Sequence, residues 1–394
     1  MTTTAPETTT TITLTASAAH LAEQIGWIAR MLPTRPAIPV LTGLRLEATA
    51  DRVRVSGTDY EVWASADLDT DTTGEGMTVL PGRLLAGLLT KLPPSRMVTI
   101  TIAPDQARID CGPTRCTLRT LPAEDYPAPP EPPTAVGQTD AAELSAAVDQ
   151  VVVAASTDPT LPMLTGVRTT LTETGIVLTA TDRYRVAQQR VAWEPTLDHD
   201  QDENAEAPTL LVPAVTLSQA AKAMTGTVTL GIETGQQGRV DQFSLSDATR
   251  RLSTRLLDGD FPATAPFLER TRSDAQVTVT VETAELAAAI GRVRLFAADS
   301  TPIRITIEEE GLVVRAGVDG EEGSEDVPAT VDGPGLPIAF NPGLLLDAVT
   351  GARAERVRLA IAETERPVLC TPDLGGDAYE HLIMPIRLGA ARAA

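Results

Sequence analysis

Two carboxylates recur in one local setting, Thr58-Asp59 and Thr181-Asp182. Hydrolases use paired carboxylates as acid, base or nucleophile, so an enzyme is one reading to weigh. The second pair opens the stretch TDRYRVA, residues 181–187, where Arg183 and Arg185 flank Tyr184 at the end of a strand-like pattern. Such a run fits a surface loop, a nucleic-acid contact or one wall of a binding pocket. Cys111 and Cys116, with four residues between them, could suggest a disulfide or half a metal site, but no further Cys or His lies near them. With Cys370 they read as buried thiols of a cytosolic protein. His20, His199 and His381 are scattered, and no HExxH, Walker loop or GxSxG occurs. No nucleophile, histidine or metal cluster accompanies the aspartates. They read as turn residues that accept hydrogen bonds from backbone N–H groups, and neither catalysis, cofactor nor metal is implied.

The chain that must position these residues has 394 of them, enough for two to four domains. It is 42% hydrophobic but only 3% aromatic, so its cores must be aliphatic. A formal charge of −21 argues against bulk attraction to nucleic acid or an anionic membrane. A DNA partner would need a local basic surface, or an attachment that is not tight binding. The start, MTTTAPETTTT, has neither a basic nor an apolar segment and reads as a disordered tail over residues 1–11, not a signal peptide. No apolar run is long enough to span a membrane.

The elements repeat. IPVLTGLRLEATADRVRVSGTDYEVWA, from Ile38, matches LPMLTGVRTTLTETGIVLTATDRYRVA, from Leu161, and in both the Thr-Asp pair begins 17 residues after the leucine of LTG. A weaker third copy, from Thr301, aligns Gly311 with Gly175 and lacks the Thr-Asp pair; Arg45, Arg168 and Arg304 fall at equivalent places. Before each copy lies an Ala-rich stretch with helical spacing, at 18–32, 141–155 and 283–298. Later in each comes a second such stretch with a proline near its start: LPGRLLAGLLTKL, LVPAVTLSQAAKAM and FNPGLLLDAVTGA. Alternating runs such as VTITIAPDQARIDCG read as antiparallel strands. The pattern predicts three α+β units, each with two helices and roughly eight strands. Linkers are expected at 128–138 and around Glu269 to Gln276, and residues 195–208 read as an acidic surface loop.

These residues make the chain resemble the bacterial DNA polymerase III beta subunits, the sliding clamps. The matching features, in family order, are P-x-L-T-G at 39–43 and 162–166, TDRYRVA at 181–187, LPAEDYP at 121–127, LLDGDFP at 256–262, AFNP at 339–342 and LIMPIRL at 382–388. The resemblance implies clamp domains over 12–130, 131–270 and 271–394, helices packed on antiparallel sheets, and a head-to-tail homodimeric ring. It implies a cytoplasmic, non-catalytic processivity factor that encircles double-stranded DNA without sequence preference. Its partners would be the replicative polymerase, the clamp loader and other proteins carrying a clamp-binding peptide motif. A ring is held by topology, so a thin basic lining suffices. Within the six inferred helices Arg30, Arg83, Lys91, Lys222, Arg292, Arg294 and Arg353 nearly balance Glu23, Asp140, Glu143, Asp149, Glu285 and Asp347, against 32 basic and 53 acidic residues overall. These cations, with Arg35, are the expected DNA-facing set.

The resemblance also assigns the opening stretch to a peptide groove: Leu164, Thr181, Arg183, Tyr184, Arg185, Val186, Pro262, Pro266, Phe267, Asn341, Leu344, Pro367, Leu382, Ile383, Met384, Pro385, Ile386, Arg387 and Leu388. Leu164, Val186, Leu382 and Met384 would form an apolar floor, where burying one partner Leu or Phe contributes roughly 1.5–3 kcal/mol. Arg183 and Arg185 would frame the rim. Pro266 and Phe267 depart from the family, which often has a basic residue and a smaller aliphatic there, and Leu344 replaces a common aromatic. Those changes raise the alternative of a specialised paralogue altered to evade a groove-binding inhibitor. Two rivals remain: a clamp-shaped module that no longer encircles DNA, which the thin basic lining and the acidic loop allow and which ring closure and loading would discriminate, and an inert structural protein, which gives no reason for the apolar segment LIMPIRL.

Overall fold

A computed structural model describes residues 11–196, 207–235, 239–296, 301–318, 320–373 and 379–387. The tail at 1–10 and most of the acidic segment at 195–208 lie outside these residues. The chain divides into two compact units. The first comprises 1–141, 195–197 and 220–256; the second comprises 142–194, 198–219 and 257–394.

Repeated motifs prove to be repeated backbone solutions. Each P-x-L-T-G is a short 3-10 turn, Pro39–Thr42 and Pro162–Thr165. Its threonine donates back to the carbonyl of the proline, at 2.8 Å in both copies, while its leucine is buried. The glycine that follows has no room for a side chain. A Cβ on Gly43 would lie 2.4 Å from Val79 Cγ1, and one on Gly166 would lie 2.8 Å from Leu211 Cδ1. The Thr-Asp pairs are likewise the same turn twice. Asp59 Oδ1 accepts from the amides of Glu61 and Val62 at 3.0 and 2.7 Å. Asp182 Oδ1 accepts from Tyr184 and Arg185 at 3.0 and 3.1 Å. Thr58 and Thr181 each donate to the carbonyl four residues on, at 2.8 and 2.6 Å. The residue between sits at positive φ, Tyr60 at 76° and Arg183 at 80°, a cost that the carboxylate's bonds offset.

In the first unit a five-stranded antiparallel sheet runs in the order 71–73, 12–17, 97–102, 106–111, 114–119. A second sheet runs 134–140, 227–234, 240–246, 250–255, 62–68, 53–58, 43–48, 76–81. Helices Ala18–Met31 and Gly82–Leu89 pack together beneath it. The first starts at Ser17, whose side chain accepts from His20 N. In the second unit one twelve-stranded sheet runs 209–213, 166–172, 175–181, 185–191, 379–383, 368–372, 356–361, 277–282, 321–332, 311–318, 303–308, 337–340. Helices Thr283–Val293 and Pro342–Gly351 cover an aliphatic core that includes Val279, Leu286, Ile290, Leu345 and Val357. Asn341 caps the latter helix, accepting from Gly343 and Leu344, with Pro342 in its first turn.

The α+β class is as read from the sequence, and all six expected helices form; the remaining two are Ala141–Val152 and Ala214–Ala223. Their ends are shorter than the apolar runs, because residues such as Leu211 and Val212 belong to the preceding buried strand. The linker expected around Glu269 to Gln276 is corrected. Ala265–Ser273 is a helix, with Pro266 in its first turn and Leu268 and Thr271 buried. Its charged surface residues hid the short apolar face. Cys111 and Cys370 are buried as expected, but Cys116 is only half-buried, on the edge strand Thr114–Arg119; all three are free thiols.

The first unit holds one deeply buried cation. Arg250, 7% exposed, donates to Gln24 Oε1 at 2.8 Å, to Glu23 and to the Ala223 carbonyl, and lies 5.8 Å from the Trp27 ring. Arg250→Met should destabilise the chain by about 2–3 kcal/mol, since it strands the buried Gln24 oxygen and the carbonyl. Urea unfolding measures this; a change within about 0.5 kcal/mol would show that these bonds contribute little.

Candidate peptide groove and basic helix faces

The turn Thr181–Arg185 is the centre of the site. The strand that leaves it, Arg185–Val191, pairs antiparallel with Tyr379–Ile383, setting Arg185 opposite Ile383 and Val186 opposite Leu382. The chain then continues alongside the turn: Met384 N donates to the Tyr184 carbonyl at 2.8 Å, and Ile386 N to the Ala339 carbonyl at 2.7 Å. Val186, Leu382, Leu369 and Leu268 form a small buried cluster. Leu268 comes from helix Ala265–Ser273, an element the sequence reading missed although it assigned Pro266 and Phe267 to the site. Arg272 on the same helix pairs with Glu380, a nearly buried carboxylate that also accepts from Gln188 at 3.3 Å.

Most of the residues assigned to the groove come together on these elements, in different roles. Of the four named as an apolar floor, Leu164, Val186 and Leu382 are buried, and Met384 alone is open. Ile383 points into the larger core, against which Leu344 also packs. The accessible apolar groups are Tyr184 at 60%, Phe267 at 59%, Met384 at 38% and Ile386 at 36%. Pro262, Pro266 and Arg183 are exposed, and Pro367 and Pro385 are half-buried. Thr181 is buried and Asn341 is a helix cap; both are occupied with backbone bonds. Arg387 pairs with Glu365 at 3.5 Å. Leu388 lies outside the described residues.

Arg185 departs most from expectation. Its side chain is 11% exposed and doubly paired, Nε to Asp182 Oδ2 at 3.0 Å and Nη1 to Asp347 Oδ2 at 2.6 Å. It is an internal strut, so only Arg183 presents a guanidinium at the surface of this turn. Nothing in the sequence spacing marked Asp347, which is 162 residues away, as its partner.

Among the expected DNA-facing cations, Arg30, Arg35, Arg83, Lys91, Lys222, Arg292, Arg294 and Arg353 are all exposed. Several are already engaged. Arg83 donates to the Leu32 carbonyl, Arg292 makes a two-bonded pair with Glu325, and Arg353 lies 3.7 Å from Asp149. Among the described residues no group of three or more His, Cys, Asp or Glu side chains is placed to hold a metal ion, and no helix is long and apolar enough to cross a membrane.

A repeated α+β unit, joined sheet edge to sheet edge, with a Thr-Asp turn beside the last described strand, defines a clamp-type protein. Models of the three domains of the DNA polymerase III beta subunit match in order: the N-terminal domain over residues 12–130, the central domain over 138–263 and the C-terminal domain over 273–387. The chain is 38% identical to the beta sliding clamp of Streptomyces coelicolor over 375 residues, covering 93% of this chain and 97% of that one. It is 31% identical over the same length to the beta sliding clamp homolog GriR of Streptomyces muensis, with the same coverage. The fold superposes on the crystal structure of the Bacillus subtilis sliding clamp with a TM-score of 0.83 at 24% identity, covering 95% and 99% of the two chains. The chain belongs to the family of DNA polymerase III beta subunits, and it is a DNA sliding clamp.

Burial makes one titration here diagnostic. The His381 ring is fully buried, its Nδ1 2.8 Å from the Tyr379 hydroxyl and its Nε2 without a hydrogen-bond partner. Burial, and secondarily the Arg185 charge, push its pKa down to about 3 from 6.5. The unfolded chain therefore binds a proton near pH 6.5 that the folded chain refuses. The contribution is full above pH 6.5 and is lost as pH falls towards 3. Between pH 7 and pH 5 the unfolding free energy should drop by ~2 kcal/mol more for the parent than for His381→Gln. Parallel curves from denaturant unfolding at the two pH values would contradict a buried neutral ring.

Proposed function

We propose that the chain works as a homodimeric ring around duplex DNA and offers the groove beside Tyr184 to short apolar segments of the replicative polymerase, the clamp loader and other replication proteins. The observation that carries the groove reading is the bond from Met384 N to the Tyr184 carbonyl. It lays the C-terminal segment along the turn and leaves Met384, Tyr184 and, beside the Leu268 cluster, Phe267 accessible. An extended peptide gains from such a surface by burying one or two apolar side chains against preformed walls. Arg183 and the backbone at the rim would set its register.

The charge balance supports retention by topology. At −21 the chain has little bulk affinity for phosphate, and the pairing of Arg292 and Arg353 with carboxylates thins the basic helix faces further. A ring so lined would slide rather than grip. Pairing with a second copy is supported by two features. Strand Thr114–Arg119 ends the five-stranded sheet with one edge open, and Leu295 and Phe296 expose large apolar side chains. The 38% identity to the Streptomyces coelicolor beta sliding clamp supports a working clamp. Phe267 at the groove mouth is then a determinant of which partners or inhibitors fit.

Titration of the pure protein with a labelled clamp-binding peptide from the same cell's replicative polymerase tests the groove. Saturable binding is expected, weakened about tenfold by Met384→Ala. Absence of binding by a folded dimer, or indifference to the Met384 change, would place the partner surface elsewhere.

A further inference from the structure

The two Thr-Asp turns form an internal control. Both are built by the same threonine and aspartate bonds, with similar distances and a positive φ at the same position. At the position after the exposed residue, however, the first turn has Val62 and the second has Arg185. The first turn forms without a guanidinium there, so the turn itself does not require Arg185. The arginine's distinguishing contact is outward from the turn: Nη1 reaches Asp347 Oδ2 at 2.6 Å on helix Pro342–Gly351.

This contact ties the Tyr184 turn to helix Pro342–Gly351. Asp182 grips the amides of Tyr184 and Arg185 with one oxygen and Arg185 Nε with the other. Arg185 then grips Asp347, in the second turn of the helix that Asn341 caps. Tyr184, whose carbonyl holds Met384, is therefore fixed relative to that helix through a chain of charged hydrogen bonds. Arg185 is 11% exposed and Asp347 42% exposed in their side chains, so the pair is closed from the turn side and wetted from the helix side. A small cavity of about 170 Å³, lined by Asp149, Gln150, Asp347 and Arg353 among others, opens beside it. A pair in this setting holds geometry more than it adds stability.

We propose that Arg185 and Asp347 form a latch that positions the Tyr184 turn for peptide binding, and that neither side chain touches the peptide. The latch rests on the groove reading. It makes Asp347 a positioning residue for partner affinity, although it is not among the groove's exposed apolar groups.

A double-mutant cycle on the full-length protein, read by titration with the same labelled polymerase peptide, tests it. Asp347→Asn and Arg185→Ala should each weaken the peptide about five- to tenfold, and the double variant should be no weaker than the worse single one, as for groups acting in one network. Asp347→Glu, which keeps the charge, should bind within about twofold of the parent. Parental affinity in Asp347→Asn would overturn the latch while leaving the groove intact. Losses that multiply in the double variant would also overturn it, by showing Arg185 to be a direct peptide contact. No binding even by the parent would overturn groove and latch together. A lower melting temperature with unchanged peptide affinity would reduce the pair to a structural role and equally end the proposal.

Discussion

An exposed strand edge must be paired, covered or charged, and twice this chain answers that constraint by pairing a strand of one copy with the last described strand of the next. The strand that follows the first Thr-Asp turn, Val62–Leu68, pairs with Arg250–Arg255. The strand that follows the second, Arg185–Val191, pairs with Tyr379–Ile383. Each copy thereby extends its neighbour's sheet, and each Thr-Asp turn comes to stand at a junction. The proposed groove is a consequence. At the second junction the chain runs on past Ile383, turns alongside Tyr184 and leaves apolar side chains that the sheet cannot cover.

The same rule applied twice gives two different results, because the residues around the junction differ. In the first copy Trp63 packs edge-on against Tyr126, whose hydroxyl donates to the Gly43 carbonyl at 3.2 Å. In the second copy Val186 takes the place of Trp63, and Leu268 closes the floor from below. A strut from Arg185 takes the place of the inert Val62. One duplicated turn has thus become a packed corner in one junction and an open wall in the other.

Much of this was legible in the sequence. The repeat, the six helices and the turn role of Asp59 and Asp182 followed from spacing and residue type, because local hydrogen bonding and periodicity decide them. The proposed location of the groove rests on resemblance. What escaped the sequence was decided by tertiary packing. Helix Ala265–Ser273 shows one buried leucine among charges and proline, too little periodicity to read. That Val186 and Leu382 pack with Leu268 and Leu369 is visible only once the chain is folded. Arg185 looks like a surface cation until Asp347, far along the chain, is seen to claim it.

An acidic chain that serves DNA without a strongly basic face is consistent with a clamp that holds by enclosure. The most direct measurement is retention on DNA of changed topology. The protein is loaded by the same cell's clamp loader onto nicked circular DNA, and the circle is then cut once. The account predicts stable retention on the circle at moderate salt and rapid loss after the cut, with the protein itself unchanged. Retention that ignores the cut, or release governed by salt alone on both forms, would contradict it.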